Sequence, residues 1–434
     1  LRRVLTSSPA GARLDAALVL SEVLRQAGQV GEARRVLEDL EPDGPSPRLA
    51  AQRAVLAAQA GDWLAVRAAV DSAPSLESDE PLSVLLEYYG LQADFRLDPA
   101  QVSASEVRAL LDRARGSMAH GAVLELAIRV AARDGQTERR ITLLDELLTV
   151  SGPHMERLAE LLSLLASGNE YQAIQNRGST FQESLRFSPA PGAESSARLA
   201  LASAELALGN PQAALDYLQT LPEAAPPSDL RTAGYLRGLA RISLGNPAVA
   251  IEDLEPVFRQ STNDIIGQQA ALRAAFAAAS LNQDAEEYFR AAFASGADSL
   301  TSFEAGLALG RWFARIREYQ RAAQTLISLA THPSAPQRQA QVIAAVIDAG
   351  LAFEAAGNPE TAVEQLSAIE ATFRGEAAAA RALLEAGRIS LEAGMAAAAS
   401  DFFFRYRQQY PGAGQQHRAL FLGARAAELL ESSG

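Results

Sequence analysis

The chain has 434 residues and a formal net charge of −13, with 48% hydrophobic but only 6% aromatic residues, so alanine and leucine supply most of its apolar surface. All 39 basic residues are arginine and cysteine is absent, which excludes a phosphate-loop or Schiff-base lysine, a thiolate nucleophile, a disulfide and a sulfur metal site. The acidic balance argues against nucleic acid as a partner. No apolar run approaches the roughly 18 residues of a membrane-spanning helix, since the richest, Val342 to Ile347, stops at Asp348.

Apolar residues recur at helical spacing between Gly, Asn and Pro punctuation, predicting paired helices and no strand. In chain order the pairs are 10–27 with 31–40, 46–60 with 62–71, 80–95 with 103–115, 118–133 with 136–150, and 154–167 with 169–177. They continue as 193–208 with 211–220, 228–244 with 247–259, 263–280 with 282–294, 298–315 with 318–330, 335–356 with 359–373, and 375–393 with 395–409, and a helix over 415–431 is expected to cap the stack. Gly152-Pro153-His154-Met155 reads as a helix stop and start, although cleaved expression tags leave the same string. The stretch around Gly178, Pro189, Pro191 and Gly192 reads as an irregular connection: a hinge, a partner-binding loop or a surface insertion. Three regions are therefore expected: degenerate hairpins over 1–177, the connection 178–192, and a more regular array over 193–434.

Self-similarity is plainest in the back half. Gly-Asn-Pro recurs at 209–211, 245–247 and 357–359. Gly takes the left-handed position that closes one helix, Asn is expected to cap the next, and Pro fills its first turn where no N–H is needed. Five residues after each Gly stands Ala214, Ala250 or Ala362, and seven residues before the turns stand Ala202, Gly238, Gly310, Gly350 and Gly387. Small residues at both places let paired helices approach closely. Gly168-Asn169, Gly28 with Ala33, Gly394 with Ala399, and Arg317 with Ala322 fit the same frame.

This pattern resembles the tetratricopeptide repeat, most fully from about Ser195 to Pro411, in Gly350, Phe353, Gly357 and Ala362 and in Gly387, Gly394, Ala399, Phe403 and Pro411. Gly209 to Gly245 spans 36 residues and Gly357 to Gly394 spans 37, close to the family's period. The early Trp is missing, the aromatic after the first small residue becomes Glu205, Arg241 and Ser390, and the front half keeps mainly Gly28, Gly61, Gly135 and Gly168. The resemblance implies an all-α fold: a right-handed α-α superhelix of about eleven helix pairs with a C-terminal capping helix. No single pair buries its own apolar face, so neighbours must stack.

The resemblance also implies a concave groove lined by the first helix of each pair. Its positions fall on Tyr235 and Leu239, on Ala270 and Ala274, on Glu304, Leu307, Arg311 and Arg315, on Ile347, Leu351 and Glu354, and on Arg381, Leu384 and Arg388. Having neither Lys nor Asn there, the chain departs from the carboxylate-clamp members of the family. Apolar residues mixed with arginines suit an amphipathic helix or extended peptide bearing acidic groups, because guanidinium forks pair with carboxylates. Alternatively the same arginines bridge neighbouring repeats to nearby glutamates.

Catalytic signals are weak. His120, His154, His332 and His417 stand alone, and no H-E-x-x-H, G-x-S-x-G or G-x-G-x-x-G motif occurs, so no enzyme, metal or cofactor is expected. The run from Asp401 to Pro411 is similar to the F-x-x-F-x-x-x-Y-P hairpins of bacterial envelope tetratricopeptide proteins, such as outer-membrane assembly lipoproteins and cell-division coordinators. That similarity implies a periplasmic or outer-membrane-associated place, with the cytoplasm as the alternative. Leu1 in place of Met leaves room for a removed leader or an upstream segment. The expected function is a non-catalytic scaffold binding a protein or peptide. The alternatives are a self-associating structural component, forming a homo-oligomer, and an enzyme-associated regulatory domain.

Overall fold

The computed structural model describes residues 10–38, 40, 46–76, 81–373 and 377–433, which contain twenty-four α-helices, three 3-10 turns and no strand. They divide into two compact units, Leu1–Ala204 and Glu205–Gly434. The expected helical pairs are present, with ends within a few residues of the spacing-based bounds.

The first unit holds α1 (Ala10–Gln26), α2 (Val30–Glu38), α3 (Pro47–Gln59), α4 (Trp63–Asp71), α5 (Pro81–Leu97), α6 (Ala104–Ala114), α7 (His120–Arg133), α8 (Thr137–Ser151), α9 (Met155–Ser167), α10 (Tyr171–Gln175) and α11 (Gly178–Phe187). Next comes α12 (Pro191–Ala207), whose last turn lies beyond the division at Ala204. The second unit continues with α13 (Pro211–Leu218), α14 (Pro227–Ser243), α15 (Pro247–Gln260), α16 (Ile265–Ser280), α17 (Glu286–Ala294), α18 (Ser299–Arg315), α19 (Tyr319–Ser328), α20 (Gln339–Ala355), α21 (Pro359–Thr372), α22 (Ala377–Glu392), α23 (Ala396–Gln409) and α24 (Gln416–Ser433). From α14 onward each helix packs on the next, and α14 also meets α16, α16 meets α18, α20 meets α22 and α22 meets α24. That pattern is one of hairpins stacked in series.

The hairpin turns are built as expected, with one change of mechanism. Gly209, Gly245, Gly357 and Gly394 have φ of 82°, 76°, 82° and 76°, conformations that glycine reaches without a Cβ penalty. The Asn side chains at 210, 246 and 358, however, do not cap the following helix. Instead the Asn246 N–H donates to the Arg241 carbonyl at 2.8 Å and Gly245 N–H to Ile242 at 3.0 Å, the six-to-one and five-to-two bonds that close a helix C-terminus. The Asn358 side chain donates to Gln320 of the previous hairpin at 3.1 Å. Where Gly is missing, Asn169, Asn282 and Arg317 take the left-handed position with φ of 59°, 55° and 65°; Gly168 is not itself the turn residue.

Small residues hold each pair together. A Cβ added to Gly238 would lie 2.4 Å from Leu254, one on Gly310 2.5 Å from Leu326, one on Gly350 2.9 Å from Leu366 and one on Gly387 2.8 Å from Phe403. Each Gly on a first helix thus receives a large apolar side chain from the second helix sixteen residues later. Ala250, Ala322, Ala362 and Ala399 are fully buried in the same core.

Two expectations need correction. The stretch 178–192 is not an irregular connection: α11 occupies Gly178–Phe187 and α12 begins at Pro191. Phe181 and Ser184 on its inner face are fully buried and α11 packs on α9, so tertiary contact outweighs a Gly- and Pro-rich composition. The boundary between compact units correspondingly lies at Ala204 and Glu205, inside α12, rather than in 178–192. Gly152, at φ 82°, and His154, preceding α9, do form a helix stop and start, and Met155 is fully buried. Helix α24 packs through Ala419 and Ala426, yet its outer side exposes Leu420, Phe421, Leu429 and Leu430.

Candidate functional site

The first helices of the second unit, α14, α16, α18, α20 and α22, are put in register by counting back from the left-handed residues at 245, 282, 317, 357 and 394. Six positions earlier stand Leu239, Phe276, Arg311, Leu351 and Arg388; ten positions earlier stand Tyr235, Leu272, Leu307, Ile347 and Leu384. The first row is the more accessible, because Leu272, Ile347 and Leu384 are buried. The α16 positions expected from sequence, Ala270 and Ala274, are fully buried. Asn282 replaces the glycine of that turn, so a glycine-based count loses the register by two residues, and Phe276, 44% exposed, is missed.

Polar contacts run across this face from helix to helix. The Tyr235 hydroxyl on α14 donates to Gln269 on α16 at 2.9 Å, and burial pushes its pKa up against the opposing pull of Arg273. Arg315 on α18 donates to the Ala279 carbonyl on α16 at 3.1 Å. Arg311 on α18 lies 3.5 Å from Asp348 on α20. Arg388 on α22 forms a bidentate pair with Glu354 on α20 at 2.7 Å for both bonds, and also donates to Glu385 at 2.8 Å and Glu392 at 2.9 Å.

These contacts divide the expected site residues. Arg388 and Glu354 satisfy each other: the hydrogen bond to Glu354 is the largest cause holding the Arg388 guanidinium in its charged form, and three carboxylates fill its donors. This pair bridges two repeats, the second of the two roles open to the groove arginines. Arg311, with a side chain 58% exposed and one long contact, keeps most of its donors facing solvent. Arg273, Arg315 and Arg381 are exposed as well, and Arg381 has no ion pair among the described residues. Leu239, Leu307 and Leu351 are half-buried between them. The arginines and leucines therefore form one surface across neighbouring helices.

Charge is segregated between the two helix sets. The five first helices α14, α16, α18, α20 and α22 carry eight arginines against six carboxylates, and within α14, α16 and α18 the balance is six arginines to Asp229 and Glu304. The second helices α15, α17, α19, α21 and α23 carry nine carboxylates against five arginines. Arg237 and Arg241 turn toward Asp253 on α15, and Arg231 binds Asp264 and two carbonyls. Arg273, Arg311 and Arg315 remain on the first-helix face.

Among the described residues no group of three His, Cys, Asp or Glu side chains is placed to hold a metal ion. His120 is buried and lies 3.2 Å from Glu146. His332 accepts the Ser334 N–H on Nδ1 at 3.1 Å and meets Ser302 Oγ through Nε2 at 3.2 Å, joining a loop to α18. A cleft of about 330 Å³ in the first unit has an apolar floor of Leu37, Leu56 and Ala57, while Arg53 at its edge is bonded to the Leu37 carbonyl. Among the described residues no helix is long and apolar enough to cross a membrane.

No known family pattern and no curated protein matches the chain. Among solved structures, it is similar to a tetratricopeptide repeat protein from Parabacteroides merdae at 18% identity and a TM-score of 0.32, over 60% of this chain and 96% of that one. It is also similar to a chain in a structure of Naa15/Naa10 bound to HypK-THB, at 12% identity and a TM-score of 0.37, over 96% of this chain and 66% of that one. A third similarity is to a chain of the APC/C hetero-tetramer Cut9–Hcn1, at 14% identity and a TM-score of 0.30, over 98% and 91%. At such overlap these likenesses say nothing of partners or chemistry. By its own turns, its paired small and large residues and its serial packing, the chain is an all-α array of tetratricopeptide-like hairpins.

Proposed function

We propose that the chain is a non-catalytic scaffold that holds a protein segment on the first-helix face of its second unit. The observation that supports this most is the set of exposed arginines, Arg273, Arg311 and Arg315, interleaved with Leu239, Phe276, Leu307 and Leu351 on an otherwise acidic chain. Apolar contact supplies affinity, and guanidinium groups select carboxylate-bearing partners and hasten encounter. The test is site-specific photo-crosslinking of the full chain in its native cells. Probes at Leu307 and Leu351 are expected to give a discrete partner adduct, and a probe at exposed Glu364 on α21 is not. Equal adducts from both faces, or capture unchanged by joint reversal of Arg311 and Arg315 to Glu, would sink this reading.

Self-association is a second reading, favoured by the apolar outer side of α24 with Phe421 68% exposed, since clustered exposed apolar residues mark surfaces that another chain covers. Light scattering across a concentration series should then show dimers that Phe421→Glu dissolves; a monomer at every concentration removes the idea. A place in the bacterial envelope rests only on the resemblance of 401–411, where Phe402, Phe403, Tyr406 and Tyr410 are core residues. Cell fractionation with an antibody to the chain decides between envelope and cytoplasm.

A further inference from the structure

The geometry points to Phe276 as the apolar anchor of a subsite that takes an extended peptide carrying one large apolar side chain flanked by carboxylates. This rests on the first-helix face being the binding surface. Three observations specify the occupant. Phe276 packs edge-on against Phe289, their centroids 5.5 Å apart, yet leaves 44% of its surface open. A half-exposed aromatic with only two side-chain torsions offers contact area at little entropic cost, the property that concentrates binding energy in such residues.

The second observation is what surrounds it. Arg273 lies one helical turn before Phe276 on the same stripe, and Arg315 reaches from α18 to the Ala279 carbonyl, one turn after it. Arg311 precedes Arg315 by one turn on α18. Cationic groups thus flank the ring along α16 and from the neighbouring helix, and α16 carries no carboxylate at all. The third is that these arginines are less occupied than Arg388: Arg273 is bonded to the Tyr235 side chain, Arg315 to one carbonyl and Arg311 lies 3.5 Å from one aspartate, where Arg388 has three glutamates, so an incoming carboxylate competes with fewer standing contacts. Charge complementarity therefore favours an acidic segment, and the ring between the charges requires an apolar residue within it.

The test uses the full chain and three fluorescein-labelled dodecapeptides. One is built of Asp and Glu with a single central Phe, the second has Ser in place of that Phe, and the third has Lys in place of every acid. Anisotropy at low salt should show saturable binding of the first, weakened roughly tenfold or more for the second and absent for the third, and weakening further as ionic strength rises. Arg273→Glu with Arg311→Glu should abolish binding, Phe276→Ala should reduce it roughly tenfold, and Arg290→Glu on α17 should leave it unchanged. Phe276→Leu, which keeps an apolar contact with Phe289, should retain part of the affinity and guards against a folding artefact. Equal binding of the Phe and Ser peptides, or indifference to the Arg273 and Arg311 reversal, overturns the subsite. If crosslinks from Leu307 and Leu351 then still trap a neutral or basic partner segment, the face survives as a binding surface and only this assignment of its occupant fails.

Discussion

Arginine joins helices in both units, and on the first-helix face of the second unit part of it stays exposed. In the first unit, Arg157 grips Glu125 through two bonds and donates to Glu160, which also receives Arg140; Arg67 reaches Asp94 at 2.7 Å, Arg113 reaches Glu87, and Arg25 pairs with Glu22, drawing that carboxyl down to about 2. In the second unit Arg231 and Arg388 are enclosed in the same way and Arg237 and Arg241 share Asp253, while Arg273, Arg311 and Arg315 stay exposed. One architecture thus uses the same residue type as mortar between repeats and as an exposed charge. What separates the roles is the number of carboxylates within reach, which neighbouring helices supply.

The units also differ in how tightly their small residues are enclosed, which gives the largest test of the comparison. A Cβ on Gly267 would fall 1.7 Å from the Ser261 carbonyl oxygen, and backbone cannot swing aside as a side chain can. Gly267→Ala is expected to cost roughly 3 kcal/mol or more in urea unfolding, and Gly238→Ala or Gly310→Ala, which press on flexible leucines, about 1–3 kcal/mol. A loss below about 0.5 kcal/mol at Gly267 would show that the joint between α15 and α16 is loose.

Next in size is the arginine contrast itself. Arg388→Ala is expected to cost about 1–2 kcal/mol by leaving Glu354, Glu385 and Glu392 crowded without a cation, whereas Arg311→Ala should fall within about 0.5 kcal/mol of the parent chain. Equal losses would erase the distinction between bridging and open arginines.

A smaller effect concerns pH. Burial lowers the pKa of His332 below its usual 6.5, and Nδ1 already accepts an N–H, so protonation breaks a bond. Because the folded value is depressed, the unfolded state binds the extra proton first; the joint is intact above about pH 6.5 and its contribution is lost as pH falls through the folded value. The second unit should therefore weaken below pH 6.5, and His332→Phe should flatten that slope; an unchanged slope would place the titration elsewhere. The smallest change reverses sign. Gly90 in the first unit has its nearest neighbour, Val70, at 3.4 Å, so Gly90→Ala should stabilise by about 0.5 kcal/mol through helix propensity.

Helix positions were legible because turn glycines and 3.6-residue periodicity act locally, and the Gly238, Gly310, Gly350 and Gly387 register follows from helix geometry alone. Helix α11 was not legible, because burial of Phe181 overrides a composition that reads as loop. Nor was Phe276: Asn282 adopts the left-handed turn as a glycine would, and only the backbone angle reveals it. The pairing of Arg388 with Glu354, 34 residues away, was open from sequence, since either a partner or a neighbouring repeat satisfies a guanidinium equally well.

What the sequence determined by itself is the hairpin array, with its missing lysine and cysteine and its repeated small positions, because each of those features works through near neighbours in the chain. Which arginines remain open, which aromatic is exposed and where the two units divide were decided by the tertiary structure. Those properties depend on distances between side chains tens of residues apart, and packing sets such distances where local periodicity does not.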